Sequence, residues 1–538
     1  MSARAWAAFA AVSLLWGIPY LFIKVAVEDG VRRRSSPGFA SCSAPRSGST
    51  AAGCIGGTAQ EATVPAVAAL SQVPVAPASL ERFRALLGED YAQVDEAIGA
   101  AGRLLAGHVV WHVNSTARGG GVAEMLQSLL AYARGADVDV RWVTIGGSEE
   151  FFGVTKRIHN HLHGAAGDGG ELGEAERAVY ENTLARSAEE LGELVRPGDI
   201  VYLHDPQTAG LIELMVFRET RVVWRCHVGL DHPNELARNA WSFLYRYVKD
   251  ADAYVFSRRA FAWEGLDEEK LWLVAPSIDA FSPKNQDLEP GAMRAILARA
   301  GLTGDGGRAP RFVRQDGTHG RVDRSAELDQ EAPVPDDDPL VVQVSRWDRL
   351  KDHAGVLRCF AEHCRHPGAH LLLAGPSVAE VVDDPEGAEV LTEIRAQRQA
   401  LPGELQERVH LACLPMDDVD ENAAMVNAIQ RRADVVVQKS LAEGFGLTVA
   451  EAMWKARPVI ASRIGGIQDQ IVDGESGLLM DDPTDLHAAA AAIDGLLDDP
   501  ARAEAIGTAA RERVRKSFLG TRHLIQYMEL IERMLDSE

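Results

Sequence analysis

Residues 433–453 read ADVVVQKSLAEGFGLTVAEAM, three kinds of structure in succession. Ala433–Gln438 is a short run rich in β-branched residues, expected as a strand covered on both faces. Glycines at 444 and 446 follow, and Leu447 or Thr448 opens a helix. Strand, glycine turn and helix start form the repeating unit of a doubly wound parallel sheet. The turn exposes backbone N–H groups where the helix dipole is positive.

The same alternation extends on both sides of this stretch. Upstream and downstream runs at Leu340–Ser345, His370–Gly375, Arg408–Ala412, Pro458–Ala461 and Gly477–Met480 are expected as its sister strands. A second series, His108–Asn114, Val138–Ile145, Asp199–Leu203, Arg221–Cys226, Asp252–Phe256 and Leu271–Val274, lies nearer the N-terminus. The fold class is therefore α/β, with two doubly wound Rossmann-like domains and a ligand cleft between them, where the strands' carboxyl ends meet. The expected boundaries are a first domain at 80–282, a Gly-, Pro- and Asp-rich linker or insertion at 283–338, a second domain at 339–515 and a closing helix at 516–538. Leu524, Met528, Ile531 and Leu535 share one face of that last helix.

The chain has 538 residues, 46% of them apolar, which suits packed domains rather than a disordered polymer. Lys and Arg number 55 against 78 Asp and Glu, for a net charge of −23. Such a surface repels a phosphate backbone, so nucleic acid is not an expected partner, whereas a local basic site for a small phosphorylated ligand is compatible with it. Six cysteines without a C-x-x-C spacing suggest neither a disulfide framework nor a structural zinc.

Three features converge on a phosphate-bearing ligand. Thr116–Glu124, TARGGGVAE, follows the first strand, and the apolar spacing after Val122 starts a helix at Gly119, Gly120 and Gly121. Arg346 and Lys351 stand five apart in the loop after strand Leu340–Ser345, where two cations can grip a diphosphate. The third is the opening stretch, in which Glu443 and Glu451 lie eight apart across the strand–helix junction. There one carboxylate can accept sugar hydroxyls and the other ribose hydroxyls.

The Arg/Lys loop and the paired glutamates resemble the nucleotide-sugar site of family-4 retaining glycosyltransferases of GT-B architecture. Val110–Gly121, Thr155–Asn160, His204–Gln207, Trp224–Pro233 and Arg311–Arg324 are similar to the corresponding segments of trehalose synthases of the glycosyltransferring type. The resemblance covers roughly residues 80–535. It implies transfer of glucose from a nucleotide-glucose (ADP-, UDP- or GDP-glucose) to free glucose, giving α,α-trehalose. Arg346 and Lys351 would neutralise the leaving diphosphate, Glu451 would hold the ribose, and Glu443 the donor glucose. Amides of Phe445, Gly446, Leu447 and Thr448 would contact sugar and phosphate. His227 would face the donor glucose, and Gly119–Gly121 would close over the diphosphate. His204, Asp205 and Asp231 are the acceptor-side candidates. Many relatives carry an aspartate two residues after the histidine, where this chain has Gly229.

No metal site is expected: His159 and His163 share a helix face without a third ligand, and any Mg2+ would arrive with the nucleotide. A retaining trehalose phosphorylase using glucose 1-phosphate, another family-4 glycosyltransferase with a different acceptor, and a non-catalytic nucleotide-sugar sensor are the alternatives; a ribose contact at Glu451 would be useless to the phosphorylase. Ala5–Ile23 is an apolar stretch without a charge. At ~1.5 Å per helical residue it would just cross a ~30 Å hydrocarbon core. It reads as a membrane anchor or as a misassigned gene start, followed by a disordered linker at 31–79. The expected location is the cytoplasm, or the cytoplasmic face of a membrane if the anchor is real. A homodimer is compatible with the sequence.

Overall fold

The computed structural model describes residues 69–117, 120–304, 306, 309–378 and 385–536. The apolar stretch 5–23 and most of the expected linker 31–79 lie outside the described residues, as do Arg118 and Gly119. No helix among the described residues is long and apolar enough to cross a membrane.

Two seven-stranded sheets organise the chain. The first contains β1 (Leu70–Val73), β2 (Val110–Asn114), β3 (Val140–Ile145), β4 (Ile200–His204), β5 (Arg221–Cys226), β6 (Ala253–Phe256) and β7 (Leu271–Leu273), in the order β1-β3-β2-β4-β5-β6-β7. A hairpin of β8 (Arg311–Val313) and β9 (His319–Arg321) follows. The second sheet contains β10 (Glu327–Asp329), β11 (Leu340–Val344), β12 (His370–Pro376), β13 (Val409–Leu414), β14 (Val435–Gln438), β15 (Val459–Ser462) and β16 (Leu478–Met480), ordered β10-β13-β12-β11-β14-β15-β16. Each sheet is parallel except for its first edge strand, β1 on β3 and β10 on β13. In each, the order reverses beside one strand: between β2 and β4, and between β11 and β14.

The central strands are buried along their whole length, as a sheet covered on two faces requires. In the first lobe Trp111, Val113, Val201, Leu203 and Trp224 pack on one side with Phe151, Ile158 and Tyr180. Val110, Trp142, Tyr202 and Val223 pack on the other with Leu126, Leu129 and Leu130. The second lobe divides its core likewise: Val341, Leu371, Leu411 and Val437 on one face, Val342, Leu372, Ala412 and Val436 on the other. The final helix, Gly520–Asp536, returns to the first lobe, burying Tyr527, Met528 and Ile531 beside Leu129 and Leu130. The two crossings between lobes lie side by side: Ile278 N–H donates to Phe518 O at 2.9 Å, and Gly520 N–H to Ile278 O at 3.2 Å.

Two sequence expectations are corrected. Order begins before residue 80, because β1 pairs with β3 in the register Leu70↔Ile145 to Val73↔Trp142. The segment 283–338 is not a linker. Its helix Pro290–Ala300 buries Ile296 and Leu297 in the second lobe, and β10 extends the second sheet. Pro290 in the first turn and Gly301 in the left-handed conformation (φ 87°) start and stop that helix rather than break it.

Candidate active site

Ligands of doubly wound sheets bind where the strand order reverses, outside the strands' carboxyl ends. The loops after β2, β4, β11 and β14 therefore define the place to look. Gly121 and Leu447 each begin a helix there, Gly121–Gly135 and Leu447–Trp454. They meet across the lobes so closely that a Cβ added at Gly121 would lie 2.9 Å from Leu447 Cδ1. Gly120 (φ 83°) and Gly446 (φ 79°) hold left-handed turns just ahead of these two starts, as a tight strand-to-helix junction needs. Two positive helix ends thus lie side by side across the lobes.

On the second-lobe side, Lys351 Nζ is ion-paired with Glu443 Oε2, bringing together the loops after β11 and β14. The loops are also tied through the backbone, Leu441 N–H donating to Leu350 O at 2.7 Å. Lys351 is positioned from behind, since the buried Gln343 donates from Nε2 to its carbonyl at 2.8 Å. Arg346 lies in the same loop with its side chain 61% exposed and Nη2 3.1 Å from Asp348 Oδ2. The loop carrying Phe445 and Gly446 is propped by the buried Gln470, whose Nε2 donates to both carbonyls. Glu451 is only 2% exposed. Its Oε1 is 3.4 Å from Lys284 Nζ, while Oε2 is buried with no hydrogen-bond partner. Burial pushes the Glu451 carboxyl up, and Lys284 opposes that.

On the first-lobe side three histidines form a chain. His112 Nδ1 is 3.0 Å from His204 Nε2, and His204 Nδ1 is 3.3 Å from His227 Nε2. Arg225 Nε donates to the same His227 Nε2 at 3.1 Å. An arginine can only donate, so that nitrogen is the acceptor and the His227 proton sits on Nδ1. His204 then donates from Nδ1 and accepts at Nε2 from His112. Burial holds all three rings well below their usual pKa, His112 at about 3, so the chain is neutral. His227 Nδ1 has no partner among the described residues and is left as a donor. Asp205, in a left-handed conformation (φ 64°), accepts from His227 N–H at 2.7 Å, and burial raises its carboxyl to about 7.

The lobes meet around Glu443. A Cβ on Gly444 would lie 3.4 Å from His227 O and 3.8 Å from His163 Cε1. His159, in the helix Glu149–Leu162, and His163, which caps its C-terminal end, stand with ring centroids 4.9 Å apart. Lys156 and Arg346 help depress the His159 pKa to about 3, behind the larger effects of burial and His163. Asp231 clasps the other lobe: its Oδ2 accepts from Gly465 N–H and from Gln468 Nε2, both at 3.0 Å. Its Oδ1 lies 2.9 Å from Arg258 Nη1, and the same guanidinium donates to Gly465 O.

The structure brings Glu443, Lys351, Gly120, Gly121, Leu447, Gly446 and His227 around one cleft. It gives other acceptor-side candidates different surroundings. His204 is fully buried with both ring nitrogens engaged by histidines, leaving no polar atom of the ring for a sugar. Asp231 commits Oδ2 to the interlobe clasp, while its Oδ1, ion-paired with Arg258 of the same lobe, is buried without a hydrogen bond. Sequence reading missed Arg225, Lys284, Arg258 and the facing of His159 and His163 toward the cleft. Only the last has a local signal, the i, i+4 spacing of His159 and His163 on one helix face. Among the described residues no group of three or more His, Cys, Asp or Glu is arranged to hold a metal ion.

Residues 112–263 match the family model for the N-terminal domain of trehalose synthase, and residues 325–513 that for group 1 glycosyl transferases. A trehalose synthase of Rubrobacter xylanophilus is 36% identical over 460 residues, covering 85% of this chain and 97% of that protein. A trehalose phosphorylase of Pleurotus sajor-caju is 30% identical over 397 residues, covering 68% of this chain and 50% of that protein. Among solved structures, a UDP-forming α,α-trehalose-phosphate synthase from Burkholderia xenovorans, in complex with glucose-6-phosphate, superposes with a TM-score of 0.59. At 14% identity, over 79% of this chain and 100% of that one, the likeness is one of fold.

Proposed function

The chain belongs to the trehalose synthase family of GT-B glycosyltransferases, hexosyltransferases of trehalose-related glycosyl transfer, and we propose that it moves glucose from a nucleotide-glucose to the anomeric hydroxyl of free glucose with retention, giving α,α-trehalose. The observation that carries this reading is the close approach of two helix starts, at Gly121 and Leu447, beside the Lys351–Glu443 pair.

The diphosphate takes the place beside the two helix starts, where backbone N–H groups of Phe445 to Thr448 and of Gly120 and Gly121 stabilise its charge. Lys351 exchanges its carboxylate partner for a phosphate oxygen, and Arg346 joins it. Glu443, released from the pair, accepts hydroxyls of the donor glucose. His227, neutral and protonated on Nδ1, donates to the same sugar. Glu451 accepts from the ribose through Oε2.

In the reaction the bond from glucose C1 to the phosphate oxygen breaks, and the acceptor oxygen attacks from the same face. The acceptor's hydroxyl proton passes to the departing phosphate oxygen. No covalent enzyme intermediate forms, so the protein's contribution is charge stabilisation and positioning. His227 stays neutral because burial, and after it Arg225, oppose its protonation.

A second reading, a phosphorylase using glucose 1-phosphate, draws support from the phosphorylase relative. The buried free oxygen of Glu451 favours the nucleotide, since a phosphorylase offers it no ribose. The test is incubation with free glucose and ADP-, UDP- or GDP-glucose in turn, with proton NMR of the products. α,α-Trehalose from at least one donor is the expected outcome. Trehalose from glucose 1-phosphate alone would replace this reading with the second.

A further inference from the structure

Lys284 lies on the connection between the lobes, in a segment anchored to the second lobe from both flanks. Asn427 Nδ2 donates to Pro283 O at 3.1 Å and to Gln286 O at 2.9 Å, and Trp454 Nε1 donates to Asn285 O at 3.1 Å. From this fixed backbone Lys284 Nζ reaches Glu124 Oε2 at 2.7 Å and Glu451 Oε1 at 3.4 Å. Glu124 belongs to the first turn of the helix that begins at Gly121. One ammonium therefore bridges the glycine-turn helix of the first lobe and the buried carboxylate of the second.

The bridge answers an electrostatic problem. A carboxylate as buried as Glu451 is driven toward its neutral form, in which it is a weaker acceptor. A second lysine, Lys455, is close, but its Nζ donates to Asn285 Oδ1 at 2.9 Å and to the backbone oxygen of Glu451 at 3.0 Å, not to the carboxylate. Burial also pulls Lys455 toward its uncharged form. The compensating charge is that of Lys284, held charged by Glu124 and Glu451 together.

We propose that Lys284 is a positioning residue for the donor nucleotide: it holds Glu451 by Oε1 as a carboxylate, so that the unpartnered Oε2 receives the ribose hydroxyls, and through Glu124 it fixes that carboxylate against the glycine-turn helix. The proposal rests on the nucleotide-glucose reading given above. It separates Lys284 from residues that touch phosphate, because its effect is confined to the ribose.

The experiment is calorimetric titration with ADP, GDP and UDP, then with the 2′,3′-dideoxy form of whichever binds tightest. Wild type is expected to prefer the ribose form by roughly 10- to 100-fold, as for a charged hydrogen bond to a buried carboxylate. In Lys284→Met, and in the milder Lys284→Gln, that preference should fall to within about 3-fold, while affinity for the dideoxy form stays at the wild-type value. Lys284→Arg should restore most of it. In steady state the Met variant should raise KM for the nucleotide-glucose more than it lowers kcat. A wild-type-sized ribose preference in Lys284→Met or Lys284→Gln would overturn the proposal. An absence of ribose preference in the wild type would instead overturn the ribose role of Glu451 on which it stands.

Discussion

Lys351 and Glu443 are two small charges whose value comes from where they stand. Their side chains are 16% and 12% exposed, so their interactions are screened less than those of a surface pair. Lys351→Ala and Glu443→Ala should each lower turnover by about 100-fold or more, the scale of losing one stabilising group at a transition state. Their melting temperatures should stay within a few degrees of wild type; near-wild-type turnover in both would remove these assignments. Asp205 supplies a pH test. Its folded pKa is raised to about 7 from 3.8, so between those values the folded state keeps a proton that the unfolded chain has lost. Stability from this group is therefore present at low pH and is lost as pH rises through that window. Asp205→Asn, which keeps an acceptor for His227 N–H, should melt at a temperature that gains on wild type from pH 4.5 to 7.5. Parallel melting curves across that range would contradict the raised pKa. Glu443 and Lys351 were legible in the sequence because each sits beside a strand end. Arg225 and Lys284 were not: Arg225 meets Val274 O at 3.0 Å, and Lys284 meets Glu124 and Glu451, partners remote in the chain.

At the scale of elements, the turn after β15 buttresses the turn after β14. Gly466 N–H donates to Gly444 O at 2.8 Å, and a Cβ at Gly465 would collide with the carbonyl of Glu443. Gly465 also has φ 48°, a region costly for other residues. Gly465→Ala should therefore destabilise by about 1–3 kcal/mol and weaken donor binding together. Gly495→Ala, inside the helix Leu486–Leu497 with open space around it, should instead stabilise by about 0.5–1 kcal/mol. Urea unfolding midpoints check both, and equal shifts in the same direction would refute the distinction. Strands such as Arg221–Cys226 were readable to the residue because their centre, Val222, Val223 and Trp224, is apolar and buried on both faces. The edge strand Leu70–Val73 was not, since Ser71 and Gln72 face outward and only four residues pair. The helix Pro290–Ala300 was hidden by its own start and stop residues, which composition alone reads as a linker.

For the whole molecule, the tandem of doubly wound lobes followed directly from two series of strand-and-helix alternation. How tightly the lobes hold each other did not, because the clasp joins side chains far apart in sequence. Asp231 and Arg258 of the first lobe together engage Gly465, Gln468 and Asp469 of the second. Arg258→Ala should leave each lobe's fold unchanged, raise the radius of gyration in X-ray scattering and raise KM for the donor. An unchanged scattering profile with unchanged KM would show that the clasp does not govern closure.

A diphosphate gripped between the lobes is the centre of the proposed reaction. Its most direct test is titration of wild type and Lys351→Ala with ADP, GDP, UDP and orthophosphate, followed by calorimetry. Wild type should bind at least one nucleoside diphosphate far more tightly than orthophosphate, and Lys351→Ala should weaken that binding by about 10-fold or more. Equal affinity in the two proteins, or binding of orthophosphate alone, would contradict it.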